Sequence, residues 1–127
     1  MRPEMMKLDT TVEEITASDF KDPTMIIKIN RHYREGMGAE DLYNTTRQWW
    51  RVSLDHAQRM KYALAVVNGI VLEVYKMERW EYGGEEHNKR SCFFGQVAEE
   101  SVRQRFIGKS VKVLFTKGDA SPVRYFD

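Results

Sequence analysis

The chain has 127 residues, of which 42% are hydrophobic and 31% charged, and a formal net charge of +1. That length suits one domain able to bury about two-thirds of its unfolded surface. The near-zero charge excludes duplex binding by bulk electrostatics, although 20 Lys and Arg leave room for a local basic groove. The single cysteine, Cys92, excludes an intramolecular disulfide and a thiolate metal cluster and fits a reducing compartment. No apolar run approaches the ~18 residues of a spanning helix and the start has no signal-like apolar stretch, so a cytoplasmic protein with no membrane contact is expected.

Residues 1–10 read as a loose leader, and the division expected is a leader over 1–24 and a single domain over 25–127. Within the leader, Thr11–Phe20 suggests a short helix, with Glu14 at capping-box spacing from Thr11 and Pro23 beyond its end. The β-branched run Met25–Asn30 reads as a strand. Arg31–Gly38 (RHYREGMG) is a glycine-containing basic loop. A helix is expected from Ala39 to about Trp50, with Glu40 and Asp41 complementing its dipole. It carries two stripes, Leu42/Thr46/Trp49 and Tyr43/Arg47/Trp50, and Arg47 makes the second a poor candidate for core. Ser53 caps a further short helix.

The centre of the chain is the hairpin Tyr62–Tyr82 (YALAVVNGIVLEVYKMERWEY). Its first arm, Tyr62–Val67, is almost continuously apolar, as for a strand buried on both faces. Asn68-Gly69 supplies the two positive φ angles of a type I′ turn. Simple alternation in the second arm puts Ile70, Leu72, Val74, Trp80 and Tyr82 on one face and Glu73, Tyr75, Arg79 and Glu81 on the other. That arm outlasts its partner, so Lys76–Tyr82 must pair elsewhere. A polar loop, GGEEHNK, precedes the strand Ser91–Val97, where Gly95 marks a bulge or close approach. A helix over Ala98–Ile107 ends at Gly108, a strand is expected over Val111–Phe115, and Val123–Phe126 closes the sheet. The sum is an α+β fold of about five or six strands and two to four short helices, with an antiparallel or mixed sheet curled toward a small barrel.

Several chemical motifs are weaker than they look. Gly108-Lys109-Ser110 resembles the end of a P-loop, but Arg103 stands where the first glycine belongs and a helix, not a strand, precedes it. Glu73 and Lys76 fall on opposite strand faces and cannot share a metal. His32, His56 and His87 lack zinc spacing, and Cys92 beside two phenylalanines reads as a small buried hydrophobe. Neither catalytic residues, nor a metal, nor a cofactor is expected. The remaining candidates are aromatic and basic. Tyr33, Trp50 and Trp80, with Arg31, Arg34, Arg47 and Arg90, suit an unpaired base and its phosphate, whereas Trp49 reads as core.

The segments IIKINRHYREGM, AEDLYNTTRQWWRV, YALAVVNGIVLEVY and GKSVKVLF…SPVRY, in that order, resemble a small bacterial domain of unassigned function that often follows a GIY-YIG nuclease domain and also occurs alone. The GIY-YIG module itself is absent, so its nuclease activity does not carry over, and Ser121-Pro122 stands where an asparagine precedes the proline in that domain. The layout is also similar to PUA-like modules of the ASCH and EVE kind, small barrels that bind RNA or modified bases in a cleft. That similarity implies ligand contacts at Lys28, Arg47, Trp50 and Trp80.

The function expected is therefore a non-catalytic module binding single-stranded nucleic acid or a nucleotide. Two alternatives stand beside it. One is a phage- or defence-related protein that acts by binding another protein, for which the near-zero charge and seven methionines give room. The other is a small hydrolase or nuclease, which needs convergent carboxylates or histidines that the spacing does not show.

Overall fold

The structure is a computed structural model that describes residues 11–116 and 119–127. The strands are β1 (Thr24–Lys28), β2 (Tyr62–Val67), β3 (Ile70–Tyr82), β4 (Ser91–Val97) and β5 (Val123–Phe126). The α-helices are α1 (Ala39–Arg47), α2 (Leu54–Ala57) and α3 (Glu100–Phe106). The strands form one mixed sheet in the order β4-β3-β2-β1-β5. Only β1 and β2 run parallel, with Thr24 opposite Tyr62 and Lys28 opposite Val66. The crossover between them carries α1 and α2. Among the described residues no helix is long and apolar enough to cross a membrane.

The two central strands are buried on both faces, which explains their uninterrupted apolar sequence. On one face Met25, Ile27, Ala63 and Ala65 meet Tyr75, Met77, Trp80 and Phe93, with Leu42, Tyr43, Leu54 and Ala57 of α1 and α2 over them. On the other, Ile26, Leu64, Val66, Val71 and Val74 meet Val102 and Phe106 of α3, together with Ile15 and Val111. The domain is thus three layers deep, helix on sheet on helix.

The hairpin turn has Asn68 at φ 50° and Gly69 at φ 81°, both positive as a type I′ turn requires. The Asn30 side chain accepts from the Asn68 N–H at 2.9 Å and ties the turn to the end of β1. Beyond β2, the far part of β3 pairs with β4, from Tyr75 opposite Val97 to Tyr82 opposite Ser91. The simple alternation expected for β3 does not hold. Register slips once at Leu72 and again at Glu78, each slip inserting one unpaired residue. Each bulge reverses the facing of the residues beyond it. Val71 and Val74 therefore share one core, while Tyr75, Met77 and Trp80 share the opposite one.

Three other expectations are corrected. The helix over Thr11–Phe20 is a single 3-10 turn, Ala17–Asp19, and the capping contact runs from the Thr16 N–H to Asp19 Oδ2 at 2.8 Å instead of between Thr11 and Glu14. Val111–Phe115 forms no strand but a 3-10 turn, Lys112–Leu114, because Ser110 bridges Ile70 and Glu14 and the chain turns away at once. The sheet is open, with β4 and β5 at its edges, and not a closed barrel. Of the leader expected over 1–24, residues 1–10 lie outside the described residues. Thr11 to Pro23 is docked: Ile15 is buried, and its N–H donates to the Ser110 carbonyl at 2.7 Å.

Candidate functional site

An edge strand has unpaired backbone groups on its outer side, and β4 has them at Ser91, Phe93 and Gly95. The stripe Tyr43/Arg47/Trp50 satisfies all three. The Gly95 N–H donates to Tyr43 Oη at 2.9 Å, and Arg47 Nη1 donates to the Phe93 carbonyl at 3.3 Å. Trp50 and Ser91 exchange backbone hydrogen bonds, both 2.9 Å. Arg47 also donates from Nε to Asn44 Oδ1 and lies over the Phe94 ring, 4.6 Å from its centroid. The stripe that suggested a ligand contact is therefore an edge cover.

Above that edge lies a cleft of about 560 Å³. Its walls come from the end of β1 and the loop after it (Lys28, Asn30, Arg31, His32), from the segment after α1 (Trp49, Trp50, Arg51), from Arg90 before β4, and from Ala120 to Pro122 before β5. Four residues expected at a ligand site, Lys28, Arg31, Trp50 and Arg90, thus converge here. Arg34 lines an adjoining depression instead. The other three lie elsewhere. Arg47 is engaged on β4, Tyr33 is half-buried against the core, and Trp80, 5% exposed, is packed on Phe93 inside the domain. Among the described residues the Trp80 Nε1 has no hydrogen-bond partner.

The two adjacent tryptophans exchange the roles expected of them. α1 stops at Arg47 and the chain leaves it through an extended Gln48, so helical spacing does not reach residues 49 and 50. Trp50 is 7% exposed, with its Nε1 donating to the Thr46 carbonyl at 2.8 Å, and forms the floor of the cleft. Trp49 is half-buried and lines the wall, stacked on His87 with ring centroids 3.6 Å apart and planes at 12°. The turn carrying His87 reaches that ring because Gly83 has no side chain. A Cβ at Gly83 would stand 2.7 Å from Trp49 Cζ3 and 2.8 Å from the Arg90 carbonyl.

The cleft is electropositive. Lys28, Arg31, Arg51 and Arg90 line it, and among the described residues no carboxylate does. Lys28 Nζ lies 3.9 Å from the centroid of the Phe115 ring and 3.5 Å from the Asp119 carbonyl, which fixes its head at the rim. Arg31, Arg51 and Arg90 are exposed, and none makes a salt bridge or a side-chain hydrogen bond to another described residue. Arg51, Trp49 and His87 were not among the ligand contacts expected from sequence. Arg51 looks like any surface arginine, and Trp49 is placed correctly only once the end of α1 is known.

Other reactive groups are held inert. Burial pushes the Cys92 thiol up, against the opposing pull of Arg47. Glu73, 14% exposed in its side chain, pairs with Arg103 Nε at 2.8 Å and belongs to the contact between β3 and α3. Gly108, at φ 84°, ends α3, and Lys109 lies 3.7 Å from Glu13, so that segment cradles no phosphate. Among the described residues, no three His, Cys, Asp or Glu side chains come together as a metal site.

Fold and cleft together define a small α+β domain with an open mixed sheet and a basic, aromatic-walled cleft above one sheet edge. Comparison with protein-family models, curated proteins and solved structures found no match to this chain.

Proposed function

We propose that this domain is a binding module for nucleic acid or nucleotides, with the cleft arginines on phosphate and a base stacked on Trp49. The observation that supports it is local. A molecule of net charge +1 gathers four cations and two indoles in one cleft, with no carboxylate among the described residues that line it. Guanidinium groups fork onto phosphate oxygens, and an aromatic face accepts any unpaired base. A cleft of about 560 Å³ is of the right order for such a ligand. The reading is of a binder and not of an enzyme, since among the described residues on the walls His32 is the one histidine and no carboxylate joins it. The cytoplasm, the compartment expected for a chain with one buried cysteine, is where we place it.

Intrinsic tryptophan fluorescence, titrated with mononucleotides and with short single-stranded RNA and DNA, tests this. Saturable quenching is expected, weakening as salt rises. Trp49→Phe removes most of that quenching and Trp80→Phe retains it. A fold intact by circular dichroism that responds to none of these ligands refutes the proposal and turns the search to a protein partner.

A further inference from the structure

From three depressions that meet at one side chain we infer that the ligand is a single strand of roughly three or more nucleotides, an inference resting on the nucleic-acid reading above. Beside the main cleft lies one depression of about 520 Å³ against α1, and another of about 380 Å³ against the Glu85–His87 turn. Arg90 lines all three. Arg51 is shared by the main cleft and the turn-side depression, and Trp49 by the main cleft and the α1-side depression. The three are therefore one track with common walls.

A pocket for a lone nucleotide gathers its cations around one phosphate group. Here they are strung out. Arg34 lines only the α1-side depression, Lys89 only the turn-side one, and Lys28 and Arg31 only the main cleft. Phosphates recur along a strand, and a row of separated cations matches that recurrence. Each outlying depression carries one carboxylate, Asp41 or Glu85, outweighed by its arginines and lysine. Lys89 lies 3.9 Å from Glu85 and offsets it directly.

The strand must be unpaired. Trp49 lines both the main cleft and the α1-side depression and His87 already covers one of its faces, so at most the opposite face or the rim is left for a base. A base inside a duplex has both faces taken by its neighbours and cannot do this.

Fluorescence anisotropy with labelled uridine mono-, di-, tetra- and octanucleotides and an RNA duplex, at low and moderate salt, tests the inference. Affinity is expected to rise about tenfold or more from mononucleotide to tetranucleotide, as one or two added stacking and phosphate contacts give. The salt dependence should steepen over the same range. Arg34→Ala and Lys89→Ala remove exposed side chains and leave the fold intact. Each should lower tetranucleotide affinity about two- to fivefold and mononucleotide affinity by less. Equal affinity for mononucleotide and tetranucleotide overturns the inference, and leaves the binding module standing as a one-nucleotide pocket. A duplex bound as tightly as the single strand also overturns it. Failure of every probe to bind overturns both readings.

Discussion

At the scale of single residues, the site depends on a position that has no side chain. Gly83 lets the His87 turn close on Trp49, and a methyl group there would meet Trp49, His87 and the Arg90 carbonyl at once, each within 2.8 Å. Gly83→Ala is therefore expected to separate the His87–Trp49 stack and displace Arg90. The cost to the fold should be about 1–3 kcal/mol, as for other overpacked contacts. The cost to ligand affinity should be about fivefold or more, as for loss of a stacked base. Near-ultraviolet circular dichroism and the fluorescence titration measure the two separately, and unchanged affinity in a folded variant counts against Trp49 as the stacking platform. Part of the basic lining was named in sequence, Arg31 and Arg90 from the aromatic and basic inventory and Lys28 from the PUA-like resemblance, and all three line the cleft. Which tryptophan faces it was not. Sequence spacing ranks Trp49 and Trp50 by helical phase, yet the helix ends two residues before Trp49 and the hydrogen bond from Trp50 Nε1 to Thr46 decides the matter.

At the scale of elements, β4 explains both a success and a failure of the sequence reading. Gly95 stands out in an otherwise apolar run, and its expected role as a close-approach point is what the structure shows. It lies opposite Met77 beside the second bulge of β3, and a Cβ there would collide with the Lys76 carbonyl oxygen. Gly95→Ala should lower stability by about 1–3 kcal/mol, read as an earlier urea midpoint with unchanged slope. The same strand misleads through its outer edge. Tyr43 and Arg47 look available for a ligand because a sheet edge leaves no mark in sequence until strand order is known. Once β4 is the edge, its outward N–H and carbonyl groups need partners, and those side chains provide them. Tyr43→Phe leaves the Gly95 N–H without its acceptor, so a loss of about 1–2 kcal/mol is expected. Ligand affinity should stay within about twofold, because Tyr43 does not line the cleft. The parity of β3 was equally hidden. Bulges at Leu72 and Glu78 are set by pairing with two different neighbours, and neither residue type announces one.

At the scale of the whole molecule, buried acidic groups give the fold a direction of pH dependence. Burial first, and then the nearby Glu73 carboxylate, pushes the Tyr75 phenol well above its ordinary 10.0. Tyr125 is raised from the same value by burial, and Tyr62 by burial and the Glu99 carboxylate beside it. Cys92 is raised from 9.0, again chiefly by burial. A group whose pKa is higher folded than unfolded keeps its proton in the native state after the unfolded chain has released it. Above the ordinary value the native state then binds more protons than the unfolded one, and stability falls as pH rises. The window opens near 9.0 with Cys92 and deepens past 10.0 as the three tyrosines titrate in turn. Below it these groups are protonated in both states and their contribution is level. Glu99 acts on the opposite side: its own backbone N–H, and after it the Tyr62 hydroxyl, hold its carboxyl below the ordinary 4.5, and the stability it adds is lost as pH falls through that region. Urea midpoints should therefore be level through neutral pH and decline above about pH 9. Tyr75→Phe removes the most strongly raised of these groups and should flatten the decline above about pH 10, with tyrosinate absorbance reporting the ionisation independently. A wild-type midpoint that stays level into that range, or a decline that Tyr75→Phe leaves as steep, contradicts the assignment of alkaline sensitivity to the buried phenol between β3 and α1.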